Sequence, residues 1–458
     1  MMRPCLALLL ASLPLAAQPS ADLDSKLSGK ISAVLQKSGA PSVSVAVVKD
    51  GRLVFARAFG FADLAAHRPA AAETRYAVGS ISKQFTTAAL LLLQEQGKLS
   101  LDDKVAQYFP ALTRASDITI RQLLSHTSGY EDYAPQDYII PEWTKPITPL
   151  AILDRWAAKP LNFDPGTKWQ YSNTNYVLAG AIFEKVAGQA LVAFLHQKIF
   201  EPLAMTSAAD CLPVQPGDAV AYTRYAIGPP RPAAREANGW YFAAGELCMT
   251  PSDLARWDMA LLQKKILSAH SYEEFTREVR LADGGATHYG LGLTISEFDG
   301  SPAFRHGGEV SGFIASNAVY PARNGSVTVL SNQDGMNVVG PLSAQIAALA
   351  FLPEAARPKD QDTRQVRAVL EALRGGRIDR RLFTDNANSY FSETALRDCK
   401  TSLARLGRIQ SVELVSETQR GGMTHRNYRA RFARRILALN VYLTSAGKFE
   451  QFMVEDQL

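Results

Sequence analysis

Gly79-Ser80-Ile81-Ser82-Lys83, running on through Gln84-Phe85-Thr86-Thr87-Ala88-Ala89-Leu90-Leu91-Leu92-Leu93-Gln94-Glu95-Gln96-Gly97, is the stretch whose reading decides the fold. Ala, Leu and Gln dominate it and are strong helix formers, so a helix is predicted from Ser80 to Gln96. Gly97 suits the left-handed position that ends a helix. From Ala88 to Leu93 the pattern is apolar on nearly every face, which predicts a helix inside a core. Yet this core helix opens on Ser80, and Lys83 follows three residues later on the same face. A serine hydroxyl becomes a nucleophile only when a neighbouring base takes its proton, and a lysine serves as that base only when neutral. A helix N-terminus also favours negative charge developing on an acyl oxygen. Alone, S-x-x-K is weak, because Ser80 could equally be a cap.

Upstream, apolar residues at helical spacing (Leu23, Leu27, Ile31, Val34, Leu35) predict a helix over about 22–37. Val43, Val45 and Val47 alternate in a strand over 42–48, Asp50-Gly51 marks a hairpin turn, and a second strand covers 53–59. Downstream, a mostly irregular, helical middle runs to about residue 300. Within it, Thr250-Pro251-Ser252-Asp253 opens a capped helix. Strands return at 312–320 and 326–330, and a helix follows over 342–350. Early and late strands sharing one antiparallel sheet, with terminal helices packed on it, give an α/β (α+β) sandwich whose helical middle is a separate lobe.

The chain's 458 residues exceed one ordinary core, so two domains are expected. Residues 353–362 (PEAARPKDQD) form a Pro- and charge-rich linker between a domain over 22–352 and a small α+β domain over 363–458. That domain starts with a helix over 364–374, has more helix to about residue 406, and ends in three strands. It resembles cystatin- or NTF2-like accessory modules. At the other end, Arg3 and the apolar run Cys5–Ala17 read as a signal peptide over 1–17, which implies export to a periplasm or medium and no stable membrane insertion afterwards. A formal charge of +5 spread over the chain does not suggest nucleic acid. After signal removal Cys211, Cys248 and Cys399 remain. A Cys211–Cys248 disulfide is permitted, but buried inert thiols are the expectation. No HExxH or paired Cys/His spacing suggests a metal, no cofactor is expected, and no GxSxG elbow is present.

Two further motifs complete the chemistry. Tyr171-Ser172-Asn173 offers a phenol that can act as a general base beside an ammonium, and an amide that can orient a substrate carbonyl. Arg305-His306-Gly307-Gly308-Glu309 leads into the strand near Gly312, and its adjacent glycines allow close approach to a backbone edge. Taken singly, Y-x-N is a common loop element and His306 would be a structural histidine.

The order and spacing of S-x-x-K, Y-x-N and H-x-G resemble the three-motif signature of the serine β-lactamase and penicillin-binding-protein superfamily. The stretches over 97–110, 118–130 and 163–173, and GELCMTPSDLARW, also look like this family, closest to its class C β-lactamase, esterase and D-aminopeptidase branch. The resemblance covers roughly residues 25–352. It implies Ser80 as the acylated nucleophile, Lys83 as its partner and Tyr171 as the base for Ser80 and later for water. Asn173 would hold the substrate's carbonyl side, and the Glu309 amide behind Gly308 would complete an oxyanion hole with that of Ser80. His306 stands where β-lactamases carry the lysine of K-T-G, which removes a cation for a substrate carboxylate. Members with H-x-G are more often esterases or D-amino-acid amidases and peptidases. The expected function is a serine hydrolase of small esters or D-amino-acid amides, with a small-molecule, peptide or cell-wall-derived substrate and an open oligomeric state. The alternatives are a β-lactamase or D-Ala-D-Ala carboxypeptidase, and a non-catalytic receptor for cell-wall fragments. His126 is expected to order a loop behind the site. Tyr130, Trp240 and Tyr241 are candidate pocket walls.

Overall fold

The computed structural model describes residues 21–136, 138–225, 228–335, 338–352, 360–420 and 423–456. The expected signal peptide and most of the expected linker lie outside these residues. The chain parts into two compact units, divided between Phe351 and Leu352.

In the larger unit, helix α1 (Ala21–Ser38) precedes the hairpin of β1 (Ser42–Lys49) and β2 (Arg52–Asp63), which turns at Asp50-Gly51 as the sequence predicts. Short β3 (Arg68–Pro69) pairs with β2. The late strands are β4 (Thr294–Phe298), β5 (Ser301–Val310), β6 (Phe313–Tyr320) and β7 (Gly325–Ser331). The seven form one antiparallel sheet in the order β3-β2-β1-β7-β6-β5-β4, so β1 pairs with the last strand, Val45 opposite Val329. Strand β1 is buried on both faces because helices cover both. Val43, Val45 and Val47 pack with Leu27 and Ile31 of α1 and with Leu342 and Ile346 near the end of the unit. Ala46 and Val48 face Ala255 on the opposite side. Alternation along a strand sends successive side chains to opposite layers, and apolar residues at every position fit a doubly covered strand.

Three expectations change here. His306, Gly307 and Gly308 lie inside strand β5, which ends at Val310, rather than ahead of a strand. Glycine's low strand propensity concealed this, and the tertiary approach described below requires glycine at 308. Cys211 and Cys248 form a disulfide. It joins the end of Ala209–Asp210 to strand Leu247–Met249, which also pairs with Tyr76–Ala77 just before Ser80. Sequence spacing alone could not show that pairing brings the two residues together. The smaller unit holds four strands where the pattern predicts three: β8 (Ile409–Arg420), β9 (Met423–Phe432), β10 (Ile436–Leu443) and β11 (Phe449–Asp456), in sequential antiparallel order. Val366, Leu370 and Leu403 from its helices share a core with Tyr428, Leu439 and Val441 of that sheet.

The helix bearing the first motif is α2 (Ser82–Glu95), preceded by a tight turn over Gly79–Ile81 that contains Ser80. Ser80 caps nothing with its side chain, so the bland reading of that hydroxyl does not apply. Eleven of the fourteen α2 residues are buried, as an all-round apolar helix requires. The capped helix α4 of the middle starts where expected: Thr250 accepts the Asp253 amide at 3.2 Å ahead of Pro251–Leu262. Between them, α3 (Asn173–Ala187) begins on the second motif. Gln84 of α2 bonds Asn317 of β6 (3.1 Å) and accepts Trp257 Nε1 of α4 (2.9 Å), so the helix that follows Ser80 is keyed to the sheet by buried polar contacts.

Candidate active site

Two backbone approaches bring the first and third motifs together. Gly79 has φ +50°, and a Cβ on it would stand 2.8 Å from the Glu309 amide nitrogen. A Cβ on Gly308 would overlap the Val78 carbonyl oxygen, 2.8 Å from its carbonyl carbon and 3.3 Å from the Ser80 amide. Only residues without side chains let strand β5 lie this close to the turn before Ser80. The turn at Ser80 and the backbone at Glu309 thereby meet along one edge of the cleft, which both residues line.

Lys83 is fully buried, and its amine has three partners: Ser80 Oγ at 2.9 Å, Asn173 Oδ1 at 2.8 Å and the Ala244 carbonyl at 2.7 Å. Two of these can only accept. The third direction therefore faces the Ser80 hydroxyl with an N–H when Lys83 is charged and with a lone pair when it is neutral. Burial pulls the amine down to about 7, opposed by the Asp132 carboxylate. Asn173 is held at its other end, where its backbone amide donates to Asp132 Oδ1 at 2.9 Å and its side-chain amide reaches the same carboxylate at 3.2 Å.

Tyr171 lies over this pair, its ring centroid 5.0 Å from the Lys83 amine. Its buried hydroxyl meets no partner in hydrogen-bonding geometry among the described residues. Burial pushes the phenol well above its usual range, and the Asp132 charge pushes the same way. Beneath the ring stands His126, 4.3 Å away between centroids, whose Nδ1 accepts the Ser172 amide at 3.2 Å. It orders the loop behind the site, as expected. Burial, Lys83 and His306 hold it well below the usual imidazole range.

His306 is saturated. Nδ1 lies 2.5 Å from the Gly307 carbonyl, which can only accept, so Nδ1 carries the proton and Nε2 accepts from the Tyr289 hydroxyl at 2.8 Å. Burial, reinforced by Lys83, lowers its pKa to about 4. The third motif thus presents a neutral ring where a lysine would present a fixed cation.

A cavity of about 670 Å³ opens over Ser80, and Tyr171, Asn173, His306, Gly308 and Glu309 line it. Lys83 sits below, bonded to Ser80. All seven sequence-predicted residues therefore converge. Tyr241 lines the cavity as expected, whereas Tyr130 and Trp240 pack in the core. Sequence reasoning missed Asp132, Glu236 and Tyr289. Asp132 lies two residues beyond the quoted stretch 118–130, so position relative to a motif could have flagged it. Glu236 sits in a loop with no periodicity, and nothing in the chain marks it. Among the described residues no group of three or more His, Cys, Asp or Glu could hold a metal, and no single helix is long and apolar enough to cross a membrane.

A family model described as Beta-lactamase matches residues 27–351. The D-aminopeptidase of Brucella anthropi is 30% identical over 284 residues, covering 60% of this chain and 52% of that protein, so the chain spans about half the length of this relative. Among solved structures, the D-stereospecific amidohydrolase from Streptomyces sp. is similar with a TM-score of 0.61 and 27% identity, covering 72% of this chain and 98% of that one. The octameric penicillin-binding protein homologue from Pyrococcus abyssi is similar in fold, with a TM-score of 0.63 and 22% identity over 94% of this chain and 99% of that one. Since the family match takes in the whole seven-stranded sheet and every residue of the cleft just described, the chain belongs to the β-lactamase family.

Proposed function

We propose that the protein is an exported serine hydrolase that forms a covalent acyl-enzyme on Ser80 from small esters or D-amino-acid amides. One observation carries this reading: a lysine with no exposure, drawn down to about 7, in contact with the hydroxyl of a serine that caps no helix. In the neutral state its lone pair takes the Ser80 proton as Oγ bonds to the substrate carbonyl carbon. The carbonyl oxygen gains the electron pair against the Ser80 and Glu309 amides. The tetrahedral species collapses as the bond to the leaving nitrogen or oxygen breaks, and the proton held at Lys83 passes to that leaving atom. Water then attacks the acyl carbon and returns Ser80 by the reverse proton path.

The raised phenol makes Tyr171 a poor resting base, so this reading gives Lys83 the proton from Ser80 and leaves Tyr171 to relay it as a neutral hydroxyl. The names of the relatives, a D-aminopeptidase and a D-stereospecific amidohydrolase, support amide substrates of D configuration. Neutral His306 argues against a β-lactamase or carboxypeptidase, whose substrates bring a carboxylate. The test is intact-mass analysis after exposure to p-nitrophenyl acetate and a fluorophosphonate, with Ser80→Ala as control. Adduct on the wild type alone supports the reading. A folded wild type that acquires none refutes it.

A further inference from the structure

Nothing holds Tyr171 by its hydroxyl. That oxygen is buried and meets no partner in hydrogen-bonding geometry among the described residues. The position of the phenol is therefore set from its ring and its backbone, and His126 grips both. The two rings lie against each other, with centroids 4.3 Å apart and planes 37° apart. His126 Nδ1 accepts the Ser172 amide at 3.2 Å, and the His126 backbone carbonyl accepts the Gln170 amide at 3.0 Å. The residues on both sides of Tyr171 are thus tied to one histidine. The imidazole is itself fixed. It has no exposure, and the Tyr176 and Tyr289 rings stand 5.3 and 5.0 Å away between centroids. Ser128 Oγ donates to Asn175 Oδ1 at 2.6 Å, which turns the Asn175 side-chain nitrogen towards Nδ1, 3.5 Å away. With two donors meeting Nδ1, the ring carries its hydrogen on Nε2 and is neutral. Ordering a loop needs only the two amide bonds, so the ring contact with the phenol is a further constraint.

We propose that His126 is a positioning residue that aims the Tyr171 hydroxyl at the leaving atom, so that its loss falls on donors whose leaving group needs a proton. The inference rests on the acyl-enzyme reading above and deepens one step of it. In that step Lys83 holds the proton from Ser80, and the bond from the acyl carbon to the leaving nitrogen or oxygen breaks. The leaving atom keeps the electron pair. The phenol gives it a hydrogen and receives the one from Lys83, ending neutral as it began. An alkoxide or an amide nitrogen is too basic to leave unprotonated, so it needs the phenol within about 2.6–3.2 Å. p-Nitrophenolate departs as a stable anion and needs no proton. The phenol oxygen lies at the far end of its side chain, where a tilt of about 10–20° displaces it by roughly 1–2 Å, and a misplacement of about 1 Å costs on the order of a hundredfold.

The test uses the full chain with three esters that share one acyl group: p-nitrophenyl, phenyl and ethyl acetate. All three give the same acetyl-enzyme, so differences in kcat/KM between them report the leaving group. His126→Asn keeps an acceptor for the Ser172 amide and suits the left-handed backbone at this position (φ +59°), but removes the ring. It is expected to lower kcat/KM about 10- to 100-fold on ethyl acetate and less than about threefold on p-nitrophenyl acetate, with phenyl acetate between. His126→Phe keeps a ring against the phenol and loses the acceptor, and is expected to recover part of the loss on ethyl acetate. Equal losses on all three esters would show a loop staple and overturn the inference, as would unchanged rates on all three. If His126→Asn does not fold, His126→Phe decides by the same comparison, since it too should lose more on ethyl than on p-nitrophenyl acetate. Acylation of Ser80 with no such dependence on the leaving group refutes only this inference, whereas absence of acylation of the wild type by every donor refutes the function beneath it.

Discussion

Gly308→Ala tests the geometry most sharply. The added methyl would overlap the Val78 carbonyl oxygen and stand 2.8 Å from its carbonyl carbon, where carbon atoms settle at about 3.5–4.0 Å. Neither side is a flexible side chain, so strand β5 or the turn before Ser80 must move by about 1 Å. The Ser80 and Glu309 amides proposed as oxyanion donors cannot both keep bonds of about 2.9 Å to one oxygen through such a shift, since one would lengthen to nearly 4 Å and be lost. Loss of one oxyanion donor costs about 10²- to 10³-fold in kcat, or about 2.7–4 kcal/mol. Overpacking adds about 1–3 kcal/mol of destabilisation, seen as a fall in Tm of a few degrees. Gly307→Ala is the matched control, because its methyl would meet only the Ala315 carbonyl at 3.8 Å, an ordinary contact. Its kcat is expected within about threefold of wild type, near the scale of a neutral surface change. The assay is steady-state p-nitrophenyl acetate turnover, with a thermal melt of each variant. A folded Gly308→Ala enzyme with kcat within threefold of wild type would refute the shared-edge argument.

Acylation of Ser80 should fall as pH drops through about 7, because protonation of Lys83 removes the lone pair; Asp132→Asn, which deletes the charge holding that pKa up, should move the midpoint to lower pH, as read by the pre-steady-state burst. His306 is a base with a folded pKa (about 4) below its unfolded value, so the unfolded chain binds more protons between pH 6.5 and 4, and stability falls over that window as pH falls. The contribution is about 3 kcal/mol at pH 4, measurable as a pH-dependent gap in denaturant stability between wild type and His306→Gln, and no gap would contradict it. Reduction of Cys211–Cys248, which closes a span of 37 residues, should cost about 4 kcal/mol by chain entropy and lower Tm, and Cys211→Ser with Cys248→Ser should melt like the reduced protein.

The chain alone determined a good deal. An apolar helix opening on Ser80 and Lys83, a hairpin at Asp50-Gly51 and a capped start at Thr250 are local signals that depend on few neighbours. The hairpin and the cap appear where the residues predict them, and the helix starts at Ser82, just after a tight turn that holds Ser80. The seven motif residues were legible for the same reason, since every motif is a short run with its chemistry in its own side chains. What the tertiary structure decided is how distant runs meet. Gly307-Gly308 looks like a break before a strand until the approach of Val78 shows why the strand must carry a glycine at 308. The state of Lys83 follows from burial, which no spacing encodes, and the neutrality of His306 follows from Tyr289 and the Gly307 carbonyl. Glu236 was invisible as a cleft acid, and Asp132 was marked only by its position after a motif, because a carboxylate in a loop acquires a role only from what folds against it. Local propensity and period are written along the chain, whereas desolvation and charge proximity exist only once segments hundreds of residues apart share a wall.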